Sequence, residues 1–148
     1  LSLQDVAPLE PDETDPSVGF GRMGTTSSHD TVDAVTQRLT SALGCSGCTV
    51  AGDPNRSAGR IGIVCGSGGE SVPLAAAAGC QTLVTGEIKL HDALEALARN
   101  MTVIAVGHHR SERFAMEHMA EKLHMVLPDL HCWASTVEQD PLCWLPNR

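Results

Sequence analysis

The chain has 148 residues, enough for one domain with a sizeable apolar core. Its apolar fraction of 42% and charged fraction of 19% fit a globular protein and exclude wholesale disorder. Ten Lys and Arg against eighteen Asp and Glu leave a net charge of −8 with no basic block, which disfavours nucleic acid and anionic membrane surfaces as partners.

No apolar run approaches the roughly 20 residues of a bilayer-spanning helix. The chain begins at Leu1 and shows no secretory leader. Residues 1–26, rich in Pro, Gly, Asp and Glu, read as an extended arm or linker from a missing N-terminal half, with one short strand near Gln4 to Pro8. Gly19 to Gly24 reads as a loop or an irregular edge strand. Residues 27–148 read as one α/β domain.

Within that domain, Val32, Val35, Leu39 and Leu43 recur on one face of a helix from about Thr31 to Leu43. Asp30 is the expected N-cap, and Gly44 ends the helix. Thr49 to Ala51 reads as a short strand and Gly52 to Asn55 as a turn. Arg60 to Cys65, Gln81 to Thr85 and Met101 to Val106 are apolar runs that read as buried strands. They alternate with predicted helices over Ser71 to Ala78, Ile88 to Asn100 and Ser111 to His124; Pro73 is tolerated in a first helical turn. Leu130 to Thr136 is expected to be a final strand carrying Trp133. This alternation predicts a mostly parallel sheet with helices on both faces and right-handed crossovers.

In such sheets, ligands bind beyond the carboxyl ends of the strands. Three junctions there carry chemistry. Gly107-His108-His109-Arg110-Ser111-Glu112 places an imidazole and a carboxylate four residues apart, close enough to share a metal at ~2.0–2.2 Å bonds. A plain alternative makes Ser111 an N-cap and Glu112 a first-turn acid favoured by the helix dipole. Gly66-Ser67-Gly68-Gly69 is either a tight turn or a backbone cradle for an anion, although no dinucleotide fingerprint or P-loop lysine accompanies it. Thr85-Gly86-Glu87-Ile88-Lys89-Leu90-His91 brings Lys89 and His91 to the same crevice. His109 adds a second imidazole. Ser67 is not in a strained nucleophile turn, which argues against serine-hydrolase chemistry.

Cys45-Ser46-Gly47-Cys48 is one C-x-x-C pair, open to ordinary loop cysteines, a redox pair or half a thiolate metal site. The six cysteines form no evident disulfide framework, which favours a reducing, cytoplasmic home. Asp140-Pro141-Leu142-Cys143-Trp144 reads as a turn followed by an apolar anchor, and Phe20, Trp133 and Trp144 are candidate interface residues.

Taken together, these loops resemble the NIF-three-like family, also called the dinuclear-metal-centre hexameric or GTP cyclohydrolase I type-two-like family. Gly19-Phe20-Gly21-Arg22-Met23-Gly24 is similar to its G-x-G-R-x-G segment, and Val64 to Glu70 to its C-G-G-S-G-x-D/E loop, with one glycine fewer. Thr85 to His91 is similar to T-G-D-I-K-Y-H with Glu87 for Asp, Gly107 to Glu112 to G-H-Y/H-x-T/S-E, and Asp140-Pro141 to a terminal D-P turn. The order and spacing of these segments carry the resemblance over most of the chain.

The resemblance implies the C-terminal half of a three-layer, hexameric protein. The complete protein would hold two divalent metals (Zn, Fe, Mn or Mg) and use a metal-activated water on a nucleotide or phosphorylated small molecule. His108 and Glu112 carry over as metal ligands; Gly66, Ser67, Gly68, Gly69, Lys89, His91 and His109 are expected to line the pocket. The family's remaining ligands, an N-terminal His-His-Pro segment and a later Asp, have no counterpart here, so this chain alone is expected to bind metal weakly or not at all. The alternative is a non-catalytic oligomerising or regulatory module with a structural or vestigial metal site.

Overall fold

The computed structural model describes residues 1–142. Among these described residues, eight strands and five α-helices follow in chain order. The strands are β1 (Gln4–Ala7), β2 (Glu10–Pro11), β3 (Gly19–Phe20), β4 (Arg22–Thr25), β5 (Thr49–Ala51), β6 (Arg60–Val64), β7 (Thr82–Thr85) and β8 (Thr102–Ala105). The helices are α1 (Val32–Ala42), α2 (Val72–Ala77), α3 (Leu90–Ala98), α4 (His108–Arg113) and α5 (Ala115–Val126).

Six strands form one sheet in the order β1-β4-β6-β7-β8-β5. The central β6-β7 and β7-β8 pairs are parallel, and the β1-β4, β4-β6 and β5-β8 pairs are antiparallel. In direction, β1, β6, β7 and β8 run one way and β4 and β5 the other, so the sheet is mixed but mostly parallel. Every residue of β7 and β8 is buried, as expected of strands covered on both faces.

Alternate side chains sort the core into two layers. Val64, Leu83 and Val103 face Val72 and Ala75 of α2 and Ala96 of α3. Ile61, Val84 and Ile104 face Val32 and Val35 of α1. The predicted three-layer arrangement is therefore present.

The structure departs from the sequence expectations in four places. Residues 1–26 are not simply an arm. β4 pairs with β6, β1 pairs with β4, and β2 with β3 makes a separate ribbon. The long-range pairing of a glycine-interrupted segment left no local period to read.

The N-cap of α1 is Thr31, whose hydroxyl accepts from the Ala34 N–H at 3.2 Å; Asp30 instead pairs with Arg38 at 2.7 Å. The helix expected from Ser111 begins earlier, at His108. Gly107 is its N-cap at φ +100°, which turns the strand directly into α4, and Phe114 separates α4 from α5. Leu130 to Thr136 is not a strand. It lies along Met116, Met119 and Leu123 of α5 rather than beside a sheet edge, and the Arg113 guanidinium donates to the Ser135 carbonyl. The anchor expected at Cys143 and Trp144 lies outside the described residues.

Candidate metal-binding junction

Strand register builds the site. Val64 of β6 is level with Thr85 of β7, which is level with Ala105 of β8. Gly66, Gly86 and Gly107 each follow by one or two residues, so the three junction loops meet at one end of the sheet.

Their backbones are stitched together. The Gly66 carbonyl accepts from the N–H groups of Gly86 and Glu87, each at 3.0 Å, and the Gly86 carbonyl accepts from the Gly107 N–H at 2.8 Å. Thr85 and Ser111, both buried, complete the knot. The Thr85 hydroxyl accepts from the Gly68 N–H at 2.9 Å and donates to the Gly66 carbonyl at 3.2 Å. The Ser111 hydroxyl accepts from the Gly66 N–H and donates to the His108 carbonyl, both at 2.8 Å.

The N–H groups of Gly66 and Gly68 are bonded to protein hydroxyls and do not offer themselves to an anion. Gly68 and Gly69 are buried, and a Cβ on Gly69 would come within 2.6 Å of Asp92 Oδ2. The loop's glycines allow close packing against β7 and α3.

The knot presents His108 between two carboxylates. Its Nδ1 stands 3.1 Å from Glu87 Oε1 and its Nε2 stands 3.5 Å from Glu112 Oε2. Because α4 starts at His108, these last two residues form a true i, i+4 pair on one helix face. Gly66, at φ +66°, makes room for them: a Cβ there would lie 2.4 Å from Glu112 Oε1 and 3.3 Å from His108 Nε2. Ser67 Oγ donates to Glu87 Oε1 and is 3.5 Å from His108 Nδ1.

This geometry sets the electrostatics of the junction. Hydrogen bonding to Glu87 raises the His108 imidazole above its ordinary value, and the Glu112 charge adds to the rise. The Ser67 hydroxyl, followed by His108, holds the Glu87 carboxyl below the usual range. Burial and the Glu112 charge push the neighbouring Cys65 thiol up, which keeps it protonated.

A cleft of about 800 Å³ opens beside the junction, lined among others by Cys45, Cys48, Glu87, His108, His109, Glu138 and Asp140. Of the expected pocket residues, His109 reaches it, next to the expected metal ligand His108, whereas Gly66, Ser67, Gly68 and Gly69 do not line it. Lys89 and His91 do not line it either. Lys89 caps α3 in the extended conformation, and the His91 ring is 76% exposed beside Asp92 at 3.3 Å. His109 Nε2 is buried with no hydrogen-bond partner among the described residues, 3.5 Å from Glu138 Oε1 of the C-terminal segment.

Glu87 is the site residue that sequence reasoning passed over. Its signal was its place directly after the glycine that ends a buried strand, whereas Lys89 and His91 already belong to the start of the next helix.

His108 Nε2 and Glu112 are two oxygen- and nitrogen-type donors suited to a divalent ion. Among the described residues, no group of three or more His, Cys, Asp or Glu is disposed to hold one. The pair therefore fits part of a donor set, since a zinc site normally takes at least three protein ligands.

The family model Duf34/NIF3 (NGG1p interacting factor 3) matches residues 1–141. The GTP cyclohydrolase 1 type 2 homolog of Nostoc is 28% identical over 142 residues, covering 95% of this chain and 52% of the relative. That of Mycobacterium leprae is 35% identical over 111 residues, covering 73% of this chain and 28% of the relative. In fold, a Bacillus cereus protein related to NIF3 superposes with a TM-score of 0.73 at 21% identity, over 86% of this chain and 36% of that one. The chain thus spans about half, or less, of the length of these relatives. The matched family model, the strand-to-helix junctions and the shared fold lead to one conclusion: the chain belongs to the Duf34/NIF3 family.

Proposed function

We propose that this chain supplies the imidazole and one carboxylate of a divalent-metal centre in a hydrolase-like protein acting on a nucleotide or a phosphorylated small molecule. The observation that carries the reading is the convergence of His108 Nε2 and Glu112 Oε2, 3.5 Å apart, beside the cleft. The complete protein would hold two such ions (Zn, Fe, Mn or Mg) with donors from outside this chain. The nucleotide class is drawn from the relatives named GTP cyclohydrolase 1 type 2 homolog.

His108 and Glu112 would hold the ion, and Gly66 leaves the space in which the two side chains meet. Glu87, Glu138 and Asp140 give the cleft an acidic lining that suits a cation and repels a bare phosphate. A divalent ion bound there would supply Lewis acidity and offset the charge of an anionic substrate. The chain's own part is to orient the donors. A reducing, cytoplasmic setting is supported by free thiols at Cys45, Cys48, Cys65, Cys80 and Cys132.

A second reading, a homo-oligomerising or regulatory module with a structural metal, is favoured by the outer face of α5. Met116, Met119 and Leu123 are exposed there, next to Trp133 at 72% exposure. A hexameric assembly belongs to either reading. The discriminating experiment substitutes His108→Ala and Glu112→Ala and measures metal content and assembly together. Loss of metal with unchanged assembly supports the enzymatic site. Loss of assembly in both variants supports the structural role and counts against the catalytic one.

A further inference from the structure

The Nδ1 side of the His108 ring is closed by two residues that need not touch a metal. Ser67 Oγ donates to Glu87 Oε1, and that same oxygen stands 3.1 Å from His108 Nδ1. Ser67 Oγ is 3.5 Å from the nitrogen, so hydroxyl, carboxylate and imidazole form a triangle. On the other side of the ring, Glu112 Oε2 is more distant from Nε2, at 3.5 Å.

A neutral imidazole carries one N–H, and its proton resides on the nitrogen with the better acceptor. Here the closer acceptor is Glu87. The triangle is also braced. Ser67 follows Gly66, whose N–H and carbonyl are fixed by Ser111, Thr85, Gly86 and Glu87. Glu87 itself is anchored through its own N–H. A carboxylate on the far nitrogen of a ligating histidine fixes the tautomer and ring direction, and raises the basicity of the other nitrogen.

We propose that Glu87, braced by Ser67, is a positioning residue that keeps the proton of neutral His108 on Nδ1 and leaves the Nε2 lone pair directed beside Glu112. The inference rests on the reading of His108 and Glu112 as metal donors. It assigns to Glu87 and Ser67 a role in preparing the donor pair before any ion arrives.

The test is the tautomer of His108 in the metal-free 148-residue chain, read from long-range ¹⁵N–¹H correlation spectra at a pH where the ring is neutral. The expected wild-type spectrum is predominantly the Nδ1–H form. Glu87→Ala should shift it to predominantly Nε2–H, and Ser67→Ala should shift it part of the way. A wild-type ring that is mainly Nε2–H, or a tautomer unchanged by Glu87→Ala, overturns the inference. Backbone amide spectra of each variant show whether the fold persists.

A parallel Mn²⁺ titration follows paramagnetic broadening of the His108 and Glu112 signals. Glu87→Ala should need about 10–100-fold more Mn²⁺ for the same broadening. Equal sensitivity of variant and wild type also overturns the positioning role. Should Mn²⁺ leave the wild-type signals untouched while Glu87→Ala still moves the proton, the metal reading falls and the control of the ring by Glu87 stands.

Discussion

The hydroxyl of Ser111 lies 2.8 Å from the backbone N–H of Gly66, a hydrogen bond that joins the first strand-to-helix junction to the third across 45 residues of sequence. The same hydroxyl donates to the His108 carbonyl. One buried side chain thus sets the distance between the glycine loop and the helix that carries His108 and Glu112.

Ser111→Ala should therefore damage both stability and site. It leaves the Gly66 N–H buried without its partner, at a loss of about 1–3 kcal/mol. The expected result is a lower urea midpoint with an unchanged slope, together with shifted amide signals at Gly66 and His108. A midpoint equal to wild type would show that the junctions do not depend on this bond.

Gly66→Ala should act more on the site than on the fold. The left-handed φ of +66° costs an L-residue about 1–2 kcal/mol. The new methyl also meets Glu112 Oε1 at 2.4 Å, and this flexible, half-exposed carboxylate can swing away. A modest fall in thermal midpoint should accompany loss of the His108–Glu112 pair, checked by the His108 titration. Gly86→Ala is harsher, because its Cβ would stand 2.6 Å from the Gly66 carbonyl oxygen and 2.9 Å from the His108 Cα, backbone atoms that cannot step aside. Overpacking of this kind costs about 1–3 kcal/mol, and urea unfolding should place Gly86→Ala below Gly66→Ala.

The pH dependence has a definite sign. His108 is raised from an ordinary value of 6.5, chiefly by Glu87. Its contribution to stability is fully present below 6.5 and is lost as pH rises through the higher folded value. Glu87 is lowered from 4.5, chiefly by Ser67, so its contribution is present above 4.5 and is lost as pH falls through the folded value. An NMR titration of the metal-free chain should find the His108 midpoint above 6.5. Glu87→Ala should lower it more than Glu112→Ala. Divalent-ion affinity should rise as His108 loses its proton.

The parts of this structure legible in the sequence are those whose signal is local. β6, β7 and β8 are short apolar runs ended by glycine, and that punctuation placed the three junctions. The spacing of His108 and Glu112 was readable because both lie near one helix start. The pairing of Arg22–Thr25 with Arg60–Val64 was not readable, since its partner lies far along the chain and glycine blurs its alternation. Glu87 was overshadowed by Lys89 and His91 because the direction of a side chain leaving a strand depends on the backbone of the glycine before it, which spacing alone does not reveal. The run around Trp133 has a strand-like composition, yet it pairs with neither edge strand, β1 or β5, and lies along α5 instead, where Trp133 stays 72% exposed.

Mn²⁺ relaxation mapping on the 148-residue chain shows whether His108 and Glu112 act together as donors to one divalent ion. The expected result is weak binding with broadening centred on Gly66, Gly86 and His108 to Glu112, abolished by either His108→Ala or Glu112→Ala. Broadening centred elsewhere, for instance at Asp12 and Asp15 or at His118 and Glu121, or a pattern indifferent to both substitutions, would contradict it.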